Sequence, residues 1–250
     1  MSLNPDEESS ELQFWHAKSS THDQGSLEKR CLAWLSEDEK SRMQAFKVIS
    51  SQNQYLVGKG MARWLLSSDK SRLNELVFEI EAHGKPFVSK PESSRKPFNL
   101  SHTDGLVGCL IGCQSHLQVG VDVEGLDRRT STELANRYFA APEIAHLERV
   151  QDPVAKKKLF LKIWTLKEAF IKAIGTGLRT PLSDFAFHHC DDSNPKIEFL
   201  NTHLQDQMEW HFQSFEPLPG FIAATAVACQ AGAEAPQLTI HPFESQFRTP

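Results

Sequence analysis

The sequence has no excess of positive charge. Its 27 Lys and Arg residues are outnumbered by 32 Asp and Glu residues, which gives a formal net charge of −5 over 250 residues. A chain with this net negative charge is not expected to bind nucleic acid or an anionic membrane over a large part of its surface. Any anion that it binds must therefore be met by a local group of Lys and Arg side chains, or by a metal ion.

The sequence also has few cysteines, and none of them forms a Cys-x-x-Cys pair. Their odd number, and the apolar run LVGCLIGC around two of them, indicate reduced structural thiols of a cytosolic protein. The five are Cys31, Cys109, Cys113, Cys190 and Cys229.

A targeting segment and long apolar stretches are absent as well. The N-terminus, MSLNPDEESSELQFW, is acidic and polar, whereas a signal peptide has a basic stretch followed by an apolar run. No apolar stretch reaches the roughly 18 residues that a membrane-spanning helix needs. We therefore expect a soluble, cytoplasmic protein that binds neither nucleic acid nor membrane.

What the sequence does contain is enough apolar material for a substantial core. Hydrophobic residues make up 40% of the chain and include 16 Phe and 5 Trp. The length allows one large domain or two small ones. The pattern of turns and apolar runs predicts a flexible tail at residues 1–11, an N-terminal α+β half at 12–116 and a C-terminal α+β half at 117–250.

The two halves resemble each other weakly. Arg63 follows Glu37 by 26 residues, and Lys172 follows Glu143 by 29 residues. In both cases the later residue is a cation near the C-terminal end of a predicted helix. This repetition favours two halves of similar plan, and binding sites commonly form where two such halves meet.

The best-defined secondary structure surrounds the centre of the chain. Helical spacing predicts a long helix at residues 154–174, which ends before a glycine. Two apolar runs predict strands at residues 105–111 and 118–123, with a polar turn at 114–116 between them.

The segment VGVDVE at residues 119–124 carries the first candidate site. On a strand its three valines face one side, so Asp122 and Glu124 share the other side, about 7 Å apart. Two carboxylates on one strand face repel each other unless a cation lies between them, and hard divalent ions prefer oxygen ligands. An exposed strand face that carries two acids without any function is the alternative.

The segment IWTLKEAFIKAIG at residues 163–175 carries the second candidate site. Trp164, Glu168 and Lys172 recur every four residues and therefore share one helix face. An acid and a lysine at this spacing can be a surface pair that only stabilises the helix. The tryptophan in the same row instead favours a partly covered face.

The third candidate is the segment FNLSHTDG at residues 98–105. Its alternating pattern predicts a strand that stops at a Ser-His-Thr-Asp-Gly turn. Hydroxyl, imidazole and backbone N–H groups at a strand end can hold a phosphate, and an ordinary hairpin turn is the alternative. Ser101 and His102 do not predict a hydrolase triad, because no Gly-x-Ser-x-Gly segment is present.

Together, and in this order, these segments and HGKP at residues 83–86 resemble the 4'-phosphopantetheinyl transferase superfamily. The resemblance covers residues 36–187 and is greatest to its longer, Sfp-like group, which activates peptide, polyketide and fatty-acid synthases. It implies a monomer of two similar α/β-sandwich halves, related by a pseudo-twofold axis. Coenzyme A would lie in the cleft between those halves.

The resemblance also implies residue roles. The Mg²⁺ ligands of the family match Asp122, Glu124 and Glu168 in this sequence. The coenzyme A contacts of the family match Arg42, Lys85, Ser101, His102 and Lys172.

Two departures from the family pattern leave alternatives open. Glu39 stands where some members carry a second cation, so Lys40 is a candidate to replace it. Two Lys-Pro pairs precede the FNLSH segment, at Lys85 and Lys96. We place the coenzyme A contact on Lys85, because a glycine precedes it.

The activity implied is transfer of the 4'-phosphopantetheine arm of coenzyme A to a serine of an acyl or peptidyl carrier protein, with release of adenosine 3',5'-bisphosphate. Glu168 would remove the serine proton and Lys172 would neutralise the phosphate oxygens. The carrier would dock on the stretch after Gly175, with the lysines at 156–158 as a lesser candidate.

A metal-dependent hydrolase acting on the pyrophosphate of coenzyme A or a nucleotide is the alternative enzyme. A non-catalytic coenzyme A-binding protein is less consistent with three carboxylates and Lys172.

Overall fold

A computed structural model describes residues 11–81, 84–113, 116 and 118–247 of the chain. The fold is a mixed α/β structure with two compact units. One consists of residues 1–116 and 234–250, and the other of residues 117–233. No helix in the described ranges is both long enough and apolar enough to cross a membrane.

The described part of the chain contains six α-helices. They are α1 (Ser26–Leu32), α2 (Glu37–Gln44), α3 (Ile49–Leu66), α4 (Ala135–Tyr138), α5 (Ala141–Arg149) and α6 (Pro153–Ala173). Short 3-10 turns connect several of these elements.

Eleven strands accompany the helices in the same residues. They are β1 (Glu11–Lys18), β2 (Val77–Ile80), β3 (Pro86–Lys90), β4 (Phe98–Thr103), β5 (Leu106–Ile111), β6 (Gln118–Gly125), β7 (Phe185–His188), β8 (Lys196–Phe199), β9 (Met208–Phe215), β10 (Phe221–Gln230) and β11 (Gln237–Pro242). The predicted long helix and the two central strands are thus confirmed as α6, β5 and β6.

The first unit is built on a four-stranded sheet in the order β11-β1-β5-β4. Strand β5 is buried along its whole length, and the long helix α3 packs on β4 and β5. The core between them contains Trp15, Met61, Phe98 and Phe243. Strands β2 and β3 form a separate antiparallel hairpin.

The second unit is built on a three-stranded antiparallel sheet in the order β6-β10-β9, on which α6 lies. Gly120 makes the close approach of α6 to β6 possible. A Cβ atom at that position would lie 2.0 Å from the carbonyl oxygen of Ala169 and 2.5 Å from the backbone nitrogen of Ala173. Only a residue without a side chain fits there.

The two units share one order of elements. In chain order each has a strand, three α-helices, a two-stranded hairpin and two more strands, with short 3-10 turns between some of them. In the main sheet of the first unit, β5 lies between β1 and β4. In the main sheet of the second unit, β10 lies between β6 and β9 in the same way. The expectation that a pseudo-twofold axis relates the halves, with coenzyme A in a cleft between them, stays a prediction.

Each unit also buries one acid against one cation, and the residues differ from those that the sequence suggested. In the first unit Arg63 binds Glu39 at 2.7 Å, and in the second Lys167 binds Glu143 at 2.8 Å. Both pairs are 24 residues apart, so the repeated spacing runs from Glu143 to Lys167 and not to Lys172. Both acids sit at the third position of a helix, where their carboxylates also bind the backbone N–H before the helix.

The expected domain boundaries differ from the structure at the C-terminal end. Residues 234–250 belong with the first unit, because β11 pairs in parallel with β1 from Glu11–Gln237 to His16–Pro242. Of the expected tail at residues 1–11, only Glu11 is described, and it begins β1. The other ten residues lie outside the described part, as does most of the predicted turn at 114–116.

Candidate functional site

Strand β6 and helix α6 bring three acids of the second unit to one place. Asp122 and Glu124 alternate with buried valines and so share the face of Gly120, which lies against α6. They are only 6% and 9% exposed. Glu168 and Lys172 lie one turn apart on α6.

Two cations bind two of these acids. The ammonium group of Lys172 donates a hydrogen bond to Oδ1 of Asp122 at 2.6 Å. The guanidinium group of Arg128 forms an ion pair with Glu124 and lies 5.7 Å from the centre of the Trp164 ring. This contact partly covers the helix face, as the tryptophan in the row of Glu168 predicted.

Arg128 is a residue of this site that the sequence did not single out. It lies in the turn after β6, four residues beyond Glu124, where the backbone N–H of Arg128 donates to the carbonyl of Gly125 at 3.1 Å. An acid and a cation four residues apart commonly pair on a helix, but the same spacing does not predict an ion pair in a turn. The only sequence signal was a pair of arginines shortly after the strand.

The electrostatics of the site show that the three carboxylates act on one another. Burial, and then the charges of Asp122 and Glu168, raise the pKa of Glu124 to about 7, although Arg128 and Lys172 act in the opposite direction. Burial and then the charge of Asp122 also raise the pKa of Glu168. A cation placed among the three would remove this repulsion.

The chemistry of this donor set fits a hard divalent cation, since all three side chains offer carboxylate oxygens and repel each other. In the described residues, however, no three His, Cys, Asp or Glu side chains are arranged so that they could hold a metal ion. Lys172 and Arg128 bind two of the acids instead. The Mg²⁺ ligand set of Asp122, Glu124 and Glu168 therefore stays a prediction.

The predicted coenzyme A contacts other than Lys172 belong to the first unit. Ser101 and His102 both lie within β4, where they pair with Gly108 and Val107 of β5. The expected turn is therefore shorter than predicted and consists of Asp104 and Gly105. Ser101 is buried and His102 is exposed, as expected for neighbours on opposite faces of a strand, so they do not form a nucleophile and its base.

Arg42 and the HGKP segment border one cavity of the first unit. It has a volume of about 430 Å³, and its walls include Arg42 of α2 together with Gly84 and Pro86 around the start of β3. Gly84 has a φ of 95°, in the region that favours glycine. Burial lowers the pKa of Lys85, which lies between them. His83 lies outside the described residues.

Comparison with known proteins agrees with the resemblance of the motifs. The family model of the 4'-phosphopantetheinyl transferase superfamily matches residues 118–229, which include Asp122, Glu124, Arg128, Glu168 and Lys172. The chain is 27% identical to the 4'-phosphopantetheinyl transferase Sfp of Bacillus subtilis (strain 168), over 80% of this chain and 85% of that one. It is 30% identical to the 4'-phosphopantetheinyl transferase HetI of Nostoc, over 78% of this chain and 79% of that one.

Among solved structures, the holo-[acyl-carrier-protein] synthase of Thermotoga maritima matches with a TM-score of 0.38 and 23% identity. That match covers 46% of this chain and 64% of the other. The holo-(acyl-carrier-protein) synthase of Bacillus anthracis, in complex with CoA (3',5'-ADP), matches with a TM-score of 0.37 and 17% identity, over 46% and 98%.

Proposed function

The chain belongs to the 4'-phosphopantetheinyl transferase superfamily, and we propose that the acids and cations between β6 and α6 carry out its reaction. The enzyme transfers the phosphopantetheine arm of coenzyme A to carrier proteins. The observation that supports this assignment of roles is the grouping of Asp122, Glu124 and Glu168 with Lys172 and Arg128 in one partly buried site.

The reaction exchanges one P–O bond for another. The serine oxygen of the carrier attacks the phosphorus that bears the pantetheine arm, and the bond from that phosphorus to the bridging oxygen of the pyrophosphate breaks. The electron pair leaves on the 5'-phosphate of adenosine 3',5'-bisphosphate, and the serine proton must go to a base. Such a transfer depends mainly on positioning and on charge neutralisation.

Glu168 is the proposed base. Burial and the charge of Asp122 raise its pKa, so the carboxylate holds a proton more readily than an exposed glutamate does. Lys172 lies one turn along α6, with its ammonium group already in the site beside Asp122, and it is the proposed cation for the non-bridging and leaving oxygens.

Asp122, Glu124 and Glu168 are the residues that would hold Mg²⁺. When bound, the ion supplies positive charge at the pyrophosphate and draws electron density away from the phosphorus under attack. Arg128 holds Glu124 in place as an ion-pair partner, and its guanidinium group also lies against the ring of Trp164.

Arg42, Lys85, Ser101 and His102 are the proposed contacts to coenzyme A in the first unit. The cavity of the first unit supports this for Arg42, which lines it, and for the position of Lys85, whose neighbours Gly84 and Pro86 line it. We also propose that the enzyme is a cytoplasmic monomer serving fatty-acid, polyketide or nonribosomal peptide synthases. Its carrier would dock on the stretch after Gly175.

The test is a labelling experiment with several apo carrier proteins, coenzyme A and Mg²⁺, read by mass spectrometry. Transfer adds roughly 340 Da to a carrier, the mass of the covalent arm. Asp122→Ala is expected to abolish labelling without unfolding the protein, whereas Glu148→Ala, an exposed acid of the same unit, is expected to label at the normal rate.

Two results would count against the proposal. Normal labelling by Asp122→Ala would remove the metal assignment. Release of adenosine 3',5'-bisphosphate without any labelled carrier would instead favour the pyrophosphate hydrolase.

A further inference from the structure

A cavity of about 560 Å³ lies in the second unit, between α6, the end of β9 and the turn after β7. Its walls include Leu159 and Lys162 of α6, Ser214 and Phe215 of β9, and Ile222 of β10. We call it the α6–β9 cavity. Small-molecule sites in proteins occupy about 300–1,000 Å³, so the volume is large enough for a ligand.

Helix α6 separates the α6–β9 cavity from the proposed reaction site. Lys162 precedes Glu168 by six residues, and at 3.6 residues per turn the two side chains point to different sides of the helix. The sheet below α6 gives the same separation, because Ala224 pairs with Asp122 on one side and with Ser214 on the other. Two strand spacings place Ser214 about 10 Å from Asp122. A ligand in the cavity would therefore lie beside the proposed reaction site without occupying it.

Ser214 contributes an unused hydroxyl group to the cavity wall. The residue is only 7% exposed, and its Oγ has no hydrogen-bond partner among the residues that the structure describes. Phe212, on the same strand face, belongs to the apolar core. Burying a hydroxyl group without a partner costs free energy, and a ligand that accepts a hydrogen bond from Oγ would remove that cost.

Lys162 contributes a cation without a counter-charge. Its ammonium group donates to the carbonyl oxygen of Asp192 at 2.8 Å, and no carboxylate of the described ranges forms an ion pair with it. Burial lowers the pKa of Lys162, whereas Cys190, Asp191 and Asp192 raise it. A carbonyl oxygen takes only one of the three N–H donors, so the ammonium group can still bind an anion.

The other charged groups of the cavity wall are paired or solvated. Lys158 forms an ion pair with Glu216 at 2.5 Å. Asp191 lies 3.5 Å from Nε2 of His146, and 81% of its side chain is exposed, so water screens its charge. One cation and one hydroxyl group therefore remain for a ligand, and they match a singly charged anion better than a dianionic phosphate.

We propose that the α6–β9 cavity binds a medium-chain fatty acid. The carboxylate accepts hydrogen bonds from Nζ of Lys162 and Oγ of Ser214, and the alkyl chain lies on Leu159, Phe215 and Ile222. An apolar chain is required because these three side chains form the rest of the wall around the polar pair. The inference does not depend on the proposed function, since none of these residues takes part in the transfer reaction.

The test is calorimetric titration of the unaltered protein with sodium octanoate. Hexanoate is expected to bind about tenfold more weakly than octanoate, because each buried methylene group strengthens binding about fourfold. Octan-1-ol, which lacks the negative charge, is also expected to bind about tenfold more weakly. Equal affinities for octanoate and octan-1-ol would refute the role of Lys162, and no binding of octanoate at about 1 mM would refute the site.

Two variants locate the site on the protein. Lys162→Met, which keeps an apolar stem, is expected to weaken octanoate binding about tenfold, as for a lost hydrogen bond to a charged group. Lys157→Met changes a lysine of the same helix outside the cavity wall and is expected to bind octanoate normally. Normal binding by Lys162→Met would overturn the inference.

Ser214→Ala distinguishes a ligand-binding hydroxyl group from a structural one. Because Oγ lacks a partner in the fold, its removal is expected to leave Tm unchanged or to raise it. Octanoate binding is expected to weaken about fivefold, as for a lost hydrogen bond between protein and ligand. Normal octanoate binding by Ser214→Ala would contradict the inference at any Tm.

Competition with coenzyme A separates this site from the proposed reaction site. Octanoate is expected to bind with the same Kd to the free protein and to the protein saturated with coenzyme A. A Kd that rises in proportion to the coenzyme A concentration would show that both ligands occupy one site, and the inference would then fail. Carrier labelling tests only the transfer proposal, so either proposal can fail while the other stands.

Discussion

The ammonium group of Lys172 lies 2.6 Å from Oδ1 of Asp122, so a cation of α6 is bound directly to an acid of β6. Asp122 is only 6% exposed, and a buried charged group costs free energy unless it is paired. The contact makes Lys172 a member of the site and not a surface lysine that merely stabilises its own helix. The alternative of a surface pair with Glu168 is therefore not what the structure shows.

The first prediction concerns Lys172. Replacing it with alanine removes the charge beside Asp122 and the cation proposed for the leaving oxygens, so kcat/KM for carrier labelling is expected to fall about 100-fold. Lys196→Ala, in which an exposed lysine of the same unit is removed, is the control and should leave the rate unchanged. Labelling by Lys172→Ala at more than a tenth of the normal rate would contradict the role of this lysine.

The residues of this site were predictable because local periodicity determined them. Alternation along β6 placed Asp122 and Glu124 on one face, and helical spacing placed Glu168 and Lys172 one turn apart. Arg128 was missed, because its contact with Glu124 depends on the backbone conformation of the turn after β6. Periodicity within a helix or a strand does not predict the conformation of a turn.

The long-range pairings were not predictable in the same way. The repeat of an acid before a helical cation was recognised, but its partners were not. Arg63 binds Glu39 rather than Glu37, and Glu143 binds Lys167 rather than Lys172, because the two lysines point to different sides of α6. Strand β11 returns to β1 across more than 200 residues, so the sequence boundary at 117–250 assigned it to the wrong unit. Pairing over such a distance depends on the folded sheet and not on the local sequence.

The second prediction concerns Gly120. A methyl group there would lie 2.0 Å from the Ala169 carbonyl oxygen, so Gly120→Ala must push α6 away from β6. Both a loss of about 3 kcal/mol in the free energy of unfolding and a loss of activity are expected, because the shift also separates Lys172 from Asp122. Denaturant unfolding and carrier labelling measure the two effects.

Gly58→Ala is the matched control for this substitution. A Cβ at Gly58 would lie 3.6 Å from Cγ1 of Val107, an ordinary contact, and alanine favours a helix over glycine by about 1 kcal/mol. We expect stability equal to or above that of the unaltered protein. Equal stability of Gly120→Ala and Gly58→Ala would show that the close approach of α6 is not required.

The third prediction concerns the buried pair of Glu143 and Lys167, both of which are fully enclosed in the second unit. Lys167 also donates to the carbonyls of Leu182 and Phe185, at 2.7 Å each. Lys167→Met leaves a buried carboxylate without its counter-charge and two carbonyls without their donor, which is expected to cost about 3–5 kcal/mol of unfolding free energy.

The double variant Lys167→Met with Glu143→Gln tests whether the cost comes from the pair itself. In the double variant no uncompensated charge remains, because the Glu143 carboxylate is replaced together with the Lys167 ammonium group. The double variant should therefore lose less stability than the sum of the two single variants. Chemical denaturation of all four proteins gives the coupling energy. Strict additivity would mean that the two side chains stabilise the unit independently.

The last prediction is the pH dependence of stability that His16 confers on the first unit. Burial lowers the pKa of His16 below its ordinary value of 6.5, and His241 lowers it further, while Glu244 acts in the opposite direction. The unfolded chain therefore binds the proton more readily than the folded one does. The free energy of unfolding should decline as the pH falls through about 6.5 and should continue to decline until the lower pKa of the folded state is passed.

His16→Gln is expected to flatten this part of the profile, whereas replacement of the exposed His22 by glutamine leaves it unchanged. Denaturant titrations between pH 8 and pH 5 measure the slope, and the same slope in all three proteins would show that His16 is not the group responsible.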